Sequence, residues 1–269
     1  MRQKSERVRI MGVLNVTSDS FSDGGKYFDA EHAVRHALEM VERGVDILDI
    51  GGESSRPGAS GVSAEEEMDR VVPVIKAVKD SVGVPISIDT VKSEVAKEAL
   101  RAGAEIVNDI TALNGDKDMA SVIAEADAGV VLMHMKGTPG TMQEDPRYCD
   151  VMAEIITRLK EAITAAIDAG IDPEKIIVDP GIGFGKTVEH NLEILRKLGE
   201  LKCLGKPILV GTSRKSFIGE LTGKAANKRM FGTAASVAVS VLMGADIVRV
   251  HDIDEMKDVV RVAEAIKRR

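Results

Sequence analysis

Tryptophan is absent from this chain of 269 residues, tyrosine occurs twice and phenylalanine five times. So few rings leave nothing from which to build the stacking platforms that hold single-stranded nucleic acid. A positive surplus is missing as well: 36 Lys and Arg face 43 Asp and Glu, a formal charge of −7. That balance disfavours general binding to nucleic acid or to an anionic membrane. The two cysteines, Cys149 and Cys203, are too few for a disulfide framework. No run approaches the roughly 18 apolar residues of a membrane span. The start, Met1-Arg2-Gln3-Lys4-Ser5-Glu6-Arg7, lacks the apolar stretch of a signal peptide. What is present is an ordinary globular composition, 44% apolar and 29% charged. It is expected in the cytoplasm, with small molecules as its partners.

Short β-branched runs recur at Arg9 to Val13, Val45 to Ile50, Pro85 to Asp89, Glu105 to Asp109, Gly129 to Met133, Ile176 to Asp179, Pro207 to Val210 and Ile247 to Val250. Between them, apolar residues fall at spacings of three and four, as in Ala33, Ala37, Val41 and Val71, Val74, Ile75, Val78, which is the pattern of amphipathic helices. Gly44, Gly103 and Gly244 each precede an Ala/Val, an acidic residue and an Ile, an internal echo of a helix stop followed by a strand. Eight units of about 34 residues suit a (β/α)8 TIM barrel, an α/β fold. A doubly wound sheet is the other arrangement compatible with the alternation. No linker composition divides residues 1–269, so a single domain is expected. The two longest connections, Lys136 to Asp150 and Thr212 to about Asn227, are long enough to be functional.

In such a barrel the chemistry sits where strands end. Asn15 follows the first strand, and the second runs through Asp49 to Glu53, Ser54, Ser55, Arg56 and Pro57. The remaining strands reach Asp89, Asn108 with Asp109, His134, Asp179, then Ser213, Arg214 and Lys215, and finally Arg249, His251 and Asp252. Any one of them, Asp109 for instance, reads equally well as a structural anchor. Together they are more telling, since several carboxylates and cations collected about one axis without a ligand would be costly. A floor of Asp89, Asn108 and Asp179 beneath a rim of Arg56, Lys215, Arg249 and His251 suits a ligand with an N–H-rich head and an anionic tail.

Other motifs fail. The segment Gly181 to Thr187 has the look of a phosphate loop, but Pro180 stands where the first Gly of that motif is required. His32 and His36 have metal-ligand spacing, yet nothing completes a site, and a solvated helix face accounts for them. Lys186 reads as a surface lysine. The sixth strand carries no lysine for Schiff-base chemistry.

The segments Met11 to Thr17, Asp19 to Gly25, Asp49 to Gly58, Asp179 to Lys186, Gly211 to Ser216 and Arg249 to Asp252 together resemble the dihydropteroate synthase family of pterin-binding TIM barrels. The resemblance runs from about residue 9 to the last helix. It implies a transferase of folate biosynthesis, a sulfonamide target, that joins 6-hydroxymethyl-7,8-dihydropterin diphosphate to 4-aminobenzoate and releases diphosphate with help from Mg2+. By that resemblance Asp89, Asn108, Asp179 and Lys215 bind the pterin. Asn15, Arg56, Arg249 and His251 meet the diphosphate, with Asn15 on the magnesium and Asp23 closing from the first loop. Phe21, Ser55, Pro57, Phe184, Ser213 and Ser216 line the aminobenzoate pocket. The catalytic set is then Asn15, Asp23, Arg56, Lys215, Arg249 and His251, and a homodimer is expected. Ser18 and Ser55 stand where the family commonly has Pro and Thr, which loosens a loop and a pocket without removing a functional group.

Two other readings share the barrel. A methyltetrahydrofolate:corrinoid methyltransferase would use the same floor but would not need the cationic rim or Phe21. A non-catalytic pterin-binding protein would retain the fold but not the complete constellation.

Overall fold

The computed structural model describes residues 7–16, 26–54 and 61–268, with backbone alone at 26–30. Eight parallel strands form one sheet: β1 (Arg9–Asn15), β2 (Ile47–Gly51), β3 (Ile86–Asp89), β4 (Ile106–Asp109), β5 (Gly129–Met133), β6 (Ile176–Asp179), β7 (Leu209–Val210) and β8 (Ile247–Val250). The sheet order is β6-β5-β4-β3-β2-β1-β8-β7. A parallel bridge between Val178 and Ile208 joins its two ends, so the sheet curls into the barrel that the alternation predicts. Pro207 lacks an N–H, which is why β7 begins after it, while its carbonyl still accepts from the Val178 N–H.

Among the described residues nine α-helices surround the sheet. They are α1 (Lys26–Glu42), α2 (Ala64–Lys79), α3 (Ser93–Ala102), α4 (Met119–Glu125), α5 (Val151–Asp168), α6 (Val188–Arg196), α7 (Ser216–Thr222), α8 (Met230–Leu242) and α9 (Ile253–Lys267). The long connection after β7 thus holds two helices. None of the described helices is long and apolar enough to cross a membrane. Helix ends follow the local chemistry. Ser63 caps α2 by accepting from the Glu66 N–H, with Glu65, Glu66 and Glu67 in the first turn and Lys76 and Lys79 in the last, each sign at the end its charge stabilises. Gly103 closes α3 at φ 118°, a conformation that side chains with a Cβ resist.

Two apolar layers result. The larger fills the space between helices and sheet, with Leu48, Ile50, Ile75, Ile88, Val107 and Val130 fully enclosed. The smaller lies inside the barrel, where Met11, Ile47, Val131, Ile177, Leu209 and Ile247 meet, with Ile106 against them. This plug fills the lower barrel. Two residues further along, on the same face, the even-numbered strands turn polar, at Asp49, Asn108, Asp179 and Arg249, while β1 and β5 stay apolar with Val13 and Met133.

Candidate active site

That polar layer holds Asp49 on β2, Asn108 on β4, Asp179 on β6 and Arg249 on β8, with Asp89 beside Asn108 in the β3–β4 register. Asp49 is wholly enclosed. Its Oδ2 accepts from Arg249 Nε at 2.6 Å and from Asn108 Nδ2 at 3.2 Å. Arg249 Nη2 donates to Asp89 Oδ2 at 2.6 Å. One edge of the guanidinium therefore spans two carboxylates from different strands. The carboxylates hold the arginine firmly charged, above its usual range, against burial.

Burial acts in the opposite sense on the acids. It is the main cause that raises Asp89 to about 7, with Arg249 opposing and Asp49 and Glu67 reinforcing. Asp179 is pushed up to about 6 by burial, opposed by the Gly181 N–H bonded to its Oδ1 at 2.7 Å and by Lys215, Lys186 and Arg249. Lys215 is drawn down to about 8, first by burial and then by Arg249. Such mutually tuned groups are typical of sites that bind or transform a ligand.

The loop after β6 is shaped by glycine. Gly181, Gly183 and Gly185 all take positive φ, and a Cβ on Gly181 would stand 1.9 Å from the His134 carbonyl oxygen. The coil brings Phe184 inward, where Lys215 Nζ lies 4.0 Å from its ring centre, a cation–π distance. With Ile110, Met133 and Met142, Phe184 forms a separate apolar cluster on one side of the barrel mouth. The loop ends in a capping box, Thr187 and His190 bonding each other's backbone N–H at the start of α6.

The expected site residues fall into four groups. Asp89, Asn108, Asp179 and Arg249 meet in the polar layer. Lys215 and Phe184 stand together at the mouth, and Ser213 Oγ lies 2.9 Å from His251 Nδ1. Asn15 ends β1, half-buried, and Ser216 opens α7, exposed. Asp23, Phe21, Ser55, Arg56 and Pro57, with Ser18, lie outside the described residues. Arg249 belongs with the acids of the floor as much as with a rim, because its side edge is taken by Asp49 and Asp89.

One reading is corrected. Lys186 is no surface lysine: it is 3% exposed, and Nζ donates to the Phe184 carbonyl at 2.9 Å and the His134 carbonyl at 3.2 Å. The glycine coil turns it inward. Asp109 is structural, its carboxylate accepting from the Thr111 N–H and hydroxyl and the Leu113 N–H. Two supports went unread in the sequence. Arg229 Nη1 donates to the carbonyls of Arg214 and Lys215, fixing the backbone of the β7–α7 turn, where Arg214 is held at φ 61°. Lys92 bridges Glu53 and Glu67 at the base of the connection after β2. Neither has a local signature, since each depends on partners from distant elements.

A family model described as pterin binding enzyme matches residues 11–251. A dihydropteroate synthase of Clostridium beijerinckii is 48% identical over 265 residues, covering 98% of this chain and 96% of that protein. Among solved structures, a dihydropteroate synthase of Clostridium difficile determined in the presence of pteroic acid superposes with a TM-score of 0.93 at 48% identity, over the full length of both chains. The Xanthomonas albilineans dihydropteroate synthase with 4-aminobenzoic acid gives 0.91 at 45% identity, covering 97% of this chain and 93% of that one.

Proposed function

The chain belongs to the pterin binding enzyme family, and from that premise we propose that it acts as a dihydropteroate synthase, joining 6-hydroxymethyl-7,8-dihydropterin diphosphate to 4-aminobenzoate. The observation that carries this reading is the polar layer itself. Asp89, Asn108 and Asp179 present acceptors above an apolar plug and beside the apolar wall of Ile110, Met133 and Phe184. A flat heterocycle with several N–H groups matches that combination, and carboxylates give its donors charge-assisted bonds.

In the reaction the C–O bond between the pterin methylene and the diphosphate breaks, its electron pair leaving with the diphosphate. The amine of aminobenzoate forms the C–N bond and loses a proton to solvent. The electron-rich pterin stabilises the methylene as the leaving group departs. Arg249 Nη1, which takes no described partner while Nε and Nη2 hold the two acids, is the edge left for the departing oxygens. His251, set by Ser213, joins that anionic subsite, and by the family resemblance Arg56 and Asp23 belong with it. Lys215 holds the pterin carbonyl edge, and Phe184, Ser213, Ser216, Phe21, Ser55 and Pro57 receive the aminobenzoate.

Magnesium fits this donor set only as a lightly held ion. Among the described residues no group of three His, Cys, Asp or Glu is placed to ligate a metal, and the Asn15 amide at the end of β1 would supply one oxygen. Mg2+ commonly borrows substrate phosphate oxygens and keeps its waters. Bound so, it would offset charge on the leaving diphosphate.

The reading includes a cytoplasmic homodimer. Phe231 is 80% exposed, and Val239, Leu242 and Met243 continue the same apolar side of α8 and its end, a surface suited to self-association about a two-fold axis. The decisive experiment is diphosphate release in the presence and absence of aminobenzoate. Release that depends on the amine supports the reading; release without it, or none, overturns it.

A further inference from the structure

Asp49 is the one member of the polar layer that neither the strand-end pattern nor the family resemblance gives a role. It lies inside β2 rather than at its end, is fully enclosed, and stands in register with Val13 and Ser87. Its Oδ2 takes the Arg249 Nε–H and an Asn108 amide hydrogen, while Oδ1, like the Ser87 hydroxyl beside it in register, is buried without a hydrogen-bond partner among the described residues. A carboxylate so placed is costly unless it does something for its neighbours.

We propose that Asp49 is a positioning residue: it pulls the Arg249 guanidinium sideways across the barrel, so that Asp89 shares the arginine instead of owning it and keeps acceptor capacity for a ligand's N–H groups. The geometry is that of a tug. Nε faces Asp49 and Nη2 faces Asp89, each at 2.6 Å. If Asp49 lost its charge, the guanidinium would have one anionic partner left in contact and would close on it. Asp89 would then be neutralised by a protein cation, and a ligand would have to displace that cation to reach it. The same pull aligns Asn108, whose amide nitrogen is turned to Asp49, leaving its carbonyl oxygen for the ligand.

The groups facing Asp89 are Arg249 from β8, Asp49 from β2, Glu67 from α2 and Lys215 from the β7–α7 turn. Asp49 and Glu67 raise its proton affinity, and the two cations lower it. Removing the Asp49 charge therefore shifts Asp89 downward twice over, by losing a repulsion and by tightening its pair with Arg249.

This inference rests on the proposed pterin site, so its test has one arm that does not need turnover. The Asp89 carboxyl carbon is titrated by NMR in the free protein, wild type and Asp49→Asn. The midpoint is expected near 7 in the wild type and lower by about a unit or more in the variant. In the second arm, Asp49→Asn raises KM for the pterin diphosphate by about tenfold or more with little change in KM for aminobenzoate. In an Arg249→Met background the same change adds no further loss, because the asparagine oxygen still accepts from Asn108 and the lost charge acts only through the arginine. An unmoved Asp89 midpoint overturns the proposal, as do independent, multiplying effects of the two substitutions. Absence of turnover in the wild type overturns the functional reading instead, and the titration still decides the role of Asp49. Asparagine preserves the shape, so a melting temperature near that of the wild type separates positioning from loss of fold.

Discussion

Lys186 Nζ lies 3.1 Å from His134 Nδ1, joining the loop after β6 to the end of β5 beneath Phe184. Burial, then the Lys186 charge, drives His134 down to about 3, and burial brings Lys186 itself to about 7 against the pull of Asp179. The imidazole is held neutral across the working range.

Because the folded protein holds Lys186 below its ordinary value of 10.5, the unfolded chain binds more protons between about pH 7 and 10.5, and stability rises with pH through that window. Lys186→Met should remove that rise. Melting temperatures of both proteins at the two ends of the window check it; parallel curves would show that the lysine charge is not buried in solution.

Asp89→Asn and Asp179→Asn should each weaken pterin binding by roughly 1.5–3 kcal/mol, measured by calorimetry with a pterin ligand. An amide loses the charge and presents a donor beside a donor. Unchanged affinity would remove these residues from the pterin site.

The same acids make stability and binding run against each other. Folded values of about 7 and about 6 lie above the ordinary 3.8, so their contribution to stability is present below about pH 4 and is lost as pH rises through 6 to 7. Pterin affinity rises over the same interval as the carboxylates form. At pH 8, Asp179→Asn should melt higher than the wild type, by on the order of 1 kcal/mol, while binding pterin less well. A variant that is weaker on both counts would show that Asp179 is fully compensated in the free protein.

Arg249→Lys should not restore diphosphate affinity, since an ammonium cannot hold two carboxylates along one edge and keep a second edge for phosphate oxygens. Calorimetry with inorganic diphosphate and Mg2+ gives the comparison. Full rescue would reduce Arg249 to a point charge.

Aminobenzoate should bind only after diphosphate and Mg2+, or the pterin substrate, have filled the inner site. Linkage then requires aminobenzoate to tighten diphosphate by the same factor. Titration of a sulfonamide with and without diphosphate and Mg2+ measures it, and equal affinities would indicate a preformed outer pocket.

The strands were legible because each is a short apolar run with a polar residue at its end or within two residues after it, and Gly44, Gly103 and Gly244 do take the positive φ their position implies. Strand ends were the weaker part: β1 continues past Val13 to Asn15, because pairing with β2 carries on to Gly51. Asp89, Asn108 and Asp179 were visible as polar residues closing apolar strands. Asp49 was counted with them but its role was not visible, and Lys186 was misread as a surface residue, for opposite reasons. The partner of Asp49 is 200 residues away, beyond any local pattern. Lys186 looks exposed until Gly181, Gly183 and Gly185 are seen to coil the chain back on itself, and that alternation of glycines was the available signal.

The apolar plug of Met11, Ile47, Val131, Ile177, Leu209 and Ile247 makes the barrel a sack with one opening. Whatever lies deepest must arrive first and leave last, so two reactants cannot queue in either order. A molecule of the second kind that enters an empty sack finds no partner to react with, while one that follows seals its partner in. Joining the two ends the traffic problem, since a single linked molecule can be drawn out by its outer half.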